Sequence, residues 1–257
     1  MGQLKLKSQH RILCGDATRA EAVERLMDGQ TAALCFTSPP YNAGNNSLGG
    51  NKSMKDSKYL NDDDDRPQDE YRQFLEQFTA SALKVCRTVA VNLQSLAGNK
   101  VAILEWIYTF RTHFVDRMVW YKGGGQPAIA ANVMNSRFED VWILSPEKNP
   151  KRCIPTGKFQ STVPNVYEGR GNSGENTEKA VHAATMPMHF AVHVLQSFDG
   201  TAGIVYEPFC GSGTTVIAAE KLGRRCFAME LDGVYCDVVI KRYEDFTGIK
   251  AVRYGKA

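Results

Sequence analysis

The sequence lacks the features that mark several common classes of protein. No two of its seven cysteines have Cys-x-x-Cys spacing, and no apolar run is long enough to cross a membrane. The first 16 residues lack the apolar centre of a signal peptide. An odd number of cysteines without metal-site spacing argues against a disulfide framework and against a structural zinc. We therefore expect reduced thiols, a cytoplasmic location, no membrane partner and no metal site.

The sequence also lacks a large excess of positive or negative charge. The 31 lysines and arginines nearly balance the 28 aspartates and glutamates, so the net charge is only +3. A nucleic-acid partner would therefore need a local basic surface rather than an overall attraction for the chain. Positive residues do gather in KLKSQHR, EKNPKR and KLGRR. Charge alone leaves the partner open.

Short apolar runs alternate with segments of helical periodicity along the 257 residues. The runs that predict strands are TAALCF, TVAVNL, FVDRMVW, RFEDVWIL, GIVYEPF and RRCFAMEL. This alternation predicts one domain of the α/β class, with a doubly wound, largely parallel, Rossmann-like sheet and helices on both faces. Two polar stretches interrupt it. We predict a mobile loop over 43–66 and an irregular connection over 145–180.

The stretch TSPPYN, residues 37–42, directly follows the apolar run AALCF. Neither proline can donate a ladder hydrogen bond, so we predict that a buried strand ends here and a stiff loop begins. A stiff loop costs little entropy to hold in one shape, which suits a site that positions another group. The alternative is a proline-rich turn in which Tyr41 only packs.

A second short motif, EPFCGSGTT at 207–215, places Gly211 and Gly213 between a predicted strand and a predicted helix. Glycines there permit a tight turn and a close approach of a ligand to the backbone. Glu230 ends the next predicted strand, where a carboxylate can accept hydrogen bonds from ribose hydroxyls. The turn lacks a P-loop ending and a third glycine. A nucleoside without a pyrophosphate, such as S-adenosylmethionine, fits best, and a plain strand–helix turn is the alternative.

Together the two motifs resemble those of the amino-group DNA methyltransferases of the β arrangement. In that family an S/D-P-P-Y motif comes early and an F-x-G-x-G motif comes late, in the order seen here. Further matches are LCGD (13–16), YRQFLEQF (71–78), HAATMP (182–187) and FAMEL (227–231). The resemblance covers most of the chain and is weakest in the two polar stretches. It implies a Rossmann-like methyltransferase fold.

The resemblance also implies roles for individual residues. The catalytic loop would be Ser38, Pro39, Pro40 and Tyr41. The residues that hold S-adenosyl-L-methionine would be Asp16, Phe209, Cys210, Gly211, Ser212, Gly213, Thr214 and Glu230. Asp16 would face the adenine of the cofactor, and residues 182–187 would complete its cavity. Glu207 departs from the family, which usually has Asp there, and its extra methylene can alter the turn.

The implied reaction moves a methyl group from S-adenosylmethionine to an exocyclic amino nitrogen of a base flipped out of double-stranded DNA. The Ser38 hydroxyl and the Pro39 carbonyl would accept the hydrogens of the amine, and Tyr41 would stack on the base. Because serine opens the motif, we favour N4 of cytosine over N6 of adenine, which stays open. A cytosine-C5 enzyme would need a Pro-Cys nucleophile, and the sequence has no such dipeptide.

Contacts to DNA are expected from the loop YKGGGQP and from segment 145–180, the candidate target-recognition segment. The alternatives are a plain surface loop for the first and an exposed connection for the second. The cations concerned are Lys122, Lys151, Arg152, Lys158 and Arg170. Loop 43–66 is a second candidate for recognition. Two other functions stay open: methylation of RNA or protein, and a DNA-binding regulator that has lost catalysis. The family includes dimers, so a homodimer also stays open.

Overall fold

The computed structural model describes residues 10–44, 64–123, 134, 136–151, 163–171, 186–198 and 203–253. Within these ranges the strands are β1 (Arg11–Cys14), β2 (Leu34–Thr37), β3 (Val89–Leu93), β4 (Phe114–Tyr121), β5 (Phe138–Leu144), β6 (Val166–Glu168), β7 (Val205–Glu207) and β8 (Cys226–Glu230). The helices are α1 (Ala20–Met27), α2 (Gln68–Val85), α3 (Lys100–Thr109), α4 (Met188–Ser197), α5 (Thr214–Lys221) and α6 (Gly233–Thr247). None of these helices is long and apolar enough to cross a membrane.

The described strands form one sheet in the order β1-β8-β7-β2-β3-β5-β4-β6. Among them only β5 runs antiparallel to its neighbours, β3 and β4. The predicted largely parallel, doubly wound sheet is therefore confirmed. Strands β2 and β7 lie side by side in parallel, although more than 160 residues separate them in the sequence. Their carboxyl ends deliver TSPPYN and EPFCGSGTT to the same edge of the sheet, where α/β proteins bind ligands.

Apolar layers cover both faces of the sheet. On one face Tyr71 and Phe78 of α2 and Trp106 of α3 pack against residues such as Cys35. On the other face Phe190 of α4 packs with Phe36 and with residues of α5. Successive residues of β2 thus point into opposite cores, which is why the strand is apolar without alternation. The prediction of helices on both faces is confirmed.

Two strands were not predicted from the sequence. Strand β1 ends just before Gly15 of the LCGD motif and pairs with β8. Strand β6 lies inside segment 145–180, which was predicted to be irregular. That prediction is wrong for Val166–Glu168, which pair in parallel with β4. A strand of three mostly exposed residues is too short to show a two-residue periodicity. Residues 45–63 lie outside the described residues, so the mobile loop stays a prediction.

Candidate active site

A cavity of about 740 Å³ opens at the carboxyl edge of the parallel strands, a size typical of ligand pockets. All the predicted catalytic and cofactor residues except Gly213 line it: Asp16, Ser38, Pro39, Pro40, Tyr41, Phe209, Cys210, Gly211, Ser212, Thr214 and Glu230. The two motifs therefore face one space. Met186 and Pro187 also line it, whereas residues 182–185 lie outside the described residues.

The glycine turn joins β7 to α5 in a backbone conformation that suits glycine alone. Gly211 and Gly213 have φ angles of 48° and 81°, in the left-handed region. A Cβ atom on Gly213 would lie 2.8 Å from Cγ1 of Val239 on α6, so the turn is also closely packed from behind. The Gly211 N–H donates to Oε2 of Glu230 at 2.8 Å. Glu230 thus fixes the turn as well as facing the cavity, and burial raises its pKa.

Asp232 is a cavity residue that the sequence analysis missed. It is only 6% exposed, and its Oδ1 accepts a hydrogen bond from the Val234 N–H at the start of α6. Its Oδ2 is buried and has no hydrogen-bond partner among the described residues. A buried carboxylate oxygen without a donor is unfavourable, and a hydroxyl or amine of a bound ligand would satisfy it. The sequence signal that could have indicated Asp232 was its position two residues after Glu230.

Asp16 and Cys210 also line the cavity. Oδ1 of Asp16 accepts hydrogen bonds from the Thr18 N–H at 2.9 Å and the Thr18 hydroxyl at 2.6 Å, which hold the carboxylate at the wall. Its contact with an adenine stays a prediction. Burial raises the pKa of the Cys210 thiol well above its usual range, so the sulfur is protonated and a poor nucleophile.

Glu207, where the family usually has Asp, connects the two motifs. It is buried, and it accepts hydrogen bonds from the hydroxyls of Thr37, which precedes Ser38, and of Thr215 on α5. The Phe209 N–H also donates to it, at 3.1 Å. Both carboxyl oxygens of the longer Glu207 side chain therefore accept hydrogen bonds. Burial raises the pKa of Glu207 to about 8.

This pKa predicts how stability depends on pH. Between the ordinary value of 4.5 and about 8, the folded protein holds a proton that the unfolded chain has released. The free energy of unfolding should therefore fall as pH rises, by up to ~1.4 kcal/mol per pH unit from this group. In Glu207→Gln this contribution disappears, so the decline between pH 5 and 8 should be shallower. Urea unfolding at several pH values measures both slopes.

The exposed Glu147 offers a matched control for that experiment. Glu147→Gln makes the same chemical change at the surface and should follow the wild-type slope. Equal slopes for the wild type and Glu207→Gln would show that Glu207 is ionised in the folded protein.

The catalytic loop is tied to two buried polar residues on neighbouring strands. The Ser38 and Tyr41 hydroxyls lie 2.8 Å apart, and the Tyr41 hydroxyl donates to Oε2 of Glu139 on β5 at 2.8 Å. Nδ2 of Asn92 on β3 donates to the Tyr41 oxygen and, at 2.6 Å, to Oε2 of Glu139. Lys122 Nζ donates to the other carboxylate oxygen. Burial and the charge of Glu139 raise the pKa of Tyr41 well above its usual range.

Sequence reasoning missed Asn92 and Glu139. They meet because β3 and β5 pair antiparallel, with Leu93 opposite Asp140 and Asn92 opposite Val141. The available signal was weak: a polar residue in each of two otherwise apolar strands. Stacking of the Tyr41 ring on a base stays a prediction, and the structure assigns the hydroxyl of that residue to the network.

The catalytic loop is also held from behind. The Tyr71 hydroxyl of α2 donates to the Pro40 carbonyl at 2.7 Å. Asn42 is buried with a φ of 54°, and its Nδ2 donates to the carbonyls of Arg66 and Gly98, both at 2.8 Å. No hydrogen bond to the Pro39 carbonyl occurs among the described residues. This arrangement fixes the loop while leaving the predicted acceptor available.

The predicted DNA contacts fall in different places. Lys122 lies in the cavity beside Glu139, and the exposed Arg170 follows β6 at the cavity rim, where the next residue lines the cavity. His189 Nε2 lies 3.0 Å from the Arg170 carbonyl and anchors that backbone. Arg152 and Lys158 lie outside the described residues.

Lys151 is not brought to the cavity. Because β5 is reversed, it ends at the far edge of the sheet, where the Asn149 N–H donates to the Thr112 carbonyl just before β4. The length of β5 separates the two edges by about 20 Å. A contact between Lys151 and DNA stays a prediction, and it requires a duplex that reaches beyond the cavity edge.

An α/β sheet with a cavity at the carboxyl ends of its central strands, lined by a Ser-Pro-Pro-Tyr loop and a glycine turn, defines a Rossmann-like ligand-binding class. The sequence profile of the DNA methylase family N6_N4_Mtase matches residues 32–241. The chain therefore belongs to this family, and the resemblance found in the sequence is confirmed.

Individual relatives agree with this assignment. The chain is 33% identical over 112 residues to the type II methyltransferase M.ScaI of Streptomyces caespitosus, an alignment that covers 42% of this chain and only 36% of that protein. The structure of the M1.HpyAVI–SAM complex matches 91% of this chain and 100% of that chain, with a TM-score of 0.58 and 18% identity. The PvuII DNA methyltransferase, described as cytosine-N4-specific, matches 90% of this chain and 85% of that chain, with a TM-score of 0.63 and 16% identity. These structures confirm the fold.

Proposed function

We propose that the protein transfers a methyl group from S-adenosylmethionine to an exocyclic amino nitrogen of a flipped-out base in double-stranded DNA. The observation that carries the proposal is the meeting of Ser38 and the glycine turn across one cavity. Membership of the DNA methylase family supports it. The restriction–modification context suggested by the name of M.ScaI is part of the proposal.

The residues on the glycine side fit S-adenosylmethionine. The turn at Gly211 and Gly213 lets a ligand approach the backbone closely, and the carboxylate of Glu230 faces the same space. The unpartnered Oδ2 of Asp232 would accept a hydrogen bond from a ribose hydroxyl or the adenine amine. When bound, this cofactor supplies an electrophilic methyl group on a sulfonium.

On the other side the chain orients the amine. The Ser38 hydroxyl and the Pro39 carbonyl accept its two hydrogens and localise the nitrogen lone pair toward the methyl group. Since Tyr71 and Asn42 fix the loop, the two acceptors are in place before the base arrives, which is electrostatic preorganisation. The protonated, buried thiol of Cys210 argues against a covalent cysteine intermediate.

A methyl-transfer assay with labelled cofactor tests this function. Label should enter unmethylated genomic DNA and neither RNA nor protein. Incorporation into RNA or protein alone would favour the alternative function, a methyltransferase that acts on RNA or protein. DNA binding without any transfer would favour a regulator that has lost catalysis.

The methylated base is expected to be N4-methylcytosine, with N6-methyladenine as the alternative, because serine rather than aspartate opens the catalytic motif. Digestion of methylated DNA to nucleosides, followed by mass spectrometry beside both standards, identifies the product. N6-methyladenine alone would overturn the choice of base and keep the mechanism. 5-Methylcytosine would contradict the mechanism itself.

Salt dependence tests the proposed DNA contact at the cavity rim. Arg170→Ala should weaken DNA binding and flatten the plot of log affinity against log salt by about one unit, because one phosphate contact is lost. Lys84→Ala is the matched control, since this exposed residue lies in the last turn of α2, beside the amino end of β2 and opposite the cavity. An unchanged slope for Arg170→Ala would place the DNA surface elsewhere.

Two further points belong to the proposal. A cytoplasmic location is supported by the cysteines of the described residues, Cys14, Cys35, Cys86, Cys210, Cys226 and Cys236, which are all free thiols. A homodimer remains the proposed alternative to a monomer. Sedimentation of the purified protein distinguishes the two states.

A further inference from the structure

The donors and acceptors in the hydrogen-bond network of Ser38, Tyr41, Asn92, Lys122 and Glu139 can be assigned, beginning with Glu139. This carboxylate is 6% exposed, and three groups point hydrogens at it: the Lys122 ammonium, the Asn92 amide and the Tyr41 hydroxyl. A buried carboxylate persists only when it is paired and hydrogen-bonded. The Lys122 ammonium can only donate. Glu139 is therefore the acceptor in all these contacts.

The donor and acceptor roles of Tyr41 and Ser38 follow from that of Glu139. A flipped Asn92 amide would aim its oxygen at the carboxylate, so Nδ2 is the atom that faces Glu139 and the Tyr41 oxygen. The Tyr41 hydrogen is used on Glu139. The Ser38 hydroxyl, 2.8 Å away, must then donate its own hydrogen to the Tyr41 oxygen. This leaves the lone pairs of the Ser38 oxygen for the cavity, where an amine would need an acceptor.

We propose that Glu139 is a positioning residue that acts on Ser38 through Tyr41 and terminates a relay for the proton that the methylated amine gives up. The proposal rests on the proposed function and adds to it a residue outside both sequence motifs. Tyr41 gains a role through its hydroxyl, distinct from the stacking of its ring.

The step balances in atoms and charge. The nitrogen lone pair forms the bond to the methyl carbon, and the carbon–sulfur bond breaks with its electron pair left on sulfur. The nitrogen then releases one proton to the Ser38 oxygen. Ser38 passes its hydrogen to Tyr41, and Tyr41 passes its hydrogen to Oε2 of Glu139. The sulfonium and carboxylate charges both disappear, so the net charge of the site is unchanged, and the Lys122 ammonium keeps a hydrogen bond to the other carboxyl oxygen, Oε1 of Glu139.

Three other carboxylates that line the cavity are placed for different tasks. Glu207 is used by the hydroxyls of Thr37 and Thr215 and by a backbone N–H. Glu230 and Asp232 bind the glycine turn and the start of α6. Among the residues that the structure describes, the chain of hydrogen bonds from Ser38 through Tyr41 ends at Glu139.

Single-turnover methyl transfer at saturating cofactor and DNA tests the relay. Glu139→Gln should lower the rate about 10- to 100-fold, since a neutral amide attracts the relayed proton weakly, while calorimetry should show unchanged affinity for S-adenosylmethionine. Tyr41→Phe, which removes one hydroxyl, should lose a similar factor. The double variant should lose no more than either single variant, because both break one chain. Glu147→Gln serves as the surface control.

Three results would overturn the proposal: a wild-type rate in Tyr41→Phe, a wild-type rate in folded Glu139→Gln, or losses that multiply in the double variant. Tyr41→Phe decides the matter even where Glu139→Gln does not fold. A second readout needs no activity. Ultraviolet titration of the Tyr41 phenol, with Tyr41→Phe as the blank, should show a lower pKa in Glu139→Gln than in the wild type. An unchanged pKa of Tyr41 would contradict the proposed coupling between Glu139 and Tyr41. An inactive wild-type protein would refute only the proposed function.

Discussion

Replacing Ser38 with alanine is expected to lower the single-turnover rate of methyl transfer by roughly 10²-fold or more while leaving the affinity for S-adenosylmethionine unchanged. The change removes a transition-state acceptor that the Tyr41 hydroxyl orients. It leaves the prolines of the loop, which are held through the contact of Pro40 with Tyr71, in place. Rapid-quench measurements of labelled DNA give the rate, and calorimetry gives the affinity.

Ser145→Ala is the matched control for this experiment. Ser145 directly follows β5 at the edge of the sheet opposite the cavity, where its N–H donates to the His113 carbonyl. The control should retain the wild-type rate. Equal rates for Ser38→Ala and Ser145→Ala would remove Ser38 from the reaction, and a parallel loss of cofactor affinity would assign it a binding role.

The second large effect is expected at the glycine turn. Gly213→Ala should weaken cofactor binding by roughly 10²-fold, because the added Cβ would lie 2.8 Å from Val239 Cγ1 and the φ of 81° disfavours any side chain. The turn must move, and the Gly211 N–H moves with it, away from Glu230. Calorimetric titration measures the loss.

Two variants separate the clash from the backbone strain. Gly223 also has a positive φ, of 67°, but a Cβ there meets nothing within 4 Å, so Gly223→Ala should leave cofactor affinity unchanged. Adding Val239→Ala to Gly213→Ala removes the clashing methyl groups and should restore part of the affinity. If Gly213→Ala binds like the wild type, the turn does not hold the cofactor.

Both motifs could be predicted from the sequence because their physics is local. Prolines end a strand wherever they occur, and paired glycines between a strand and a helix permit a tight turn in any context. The alternation of elements likewise predicted the sheet. The apolar strand β2 was recognisable because it is buried on both faces.

The parts that were missed depend on pairing between distant segments. Glu139 reaches Tyr41 only because β5 runs antiparallel beside β3, and no pattern within RFEDVWIL encodes that register. Lys122 meets Glu139 through a second antiparallel pairing: it directly follows β4, in which Trp120 lies opposite Glu139 of β5. The role of Glu207 follows from two threonines on different elements, Thr37 on β2 and Thr215 on α5. Such positions become visible only in the folded chain.

The strand order also determines when the site can come into existence during synthesis. Strands β1 and β2 are not neighbours: β8 and β7, from the last quarter of the sequence, occupy the gap between them. While the ribosome is still making earlier segments, both strands have an unfilled apolar edge, and the slot that holds the glycine turn does not exist. Closing such long-range pairs is intrinsically slow. The nascent chain therefore becomes able to form its cavity only after β7 and β8 have been translated.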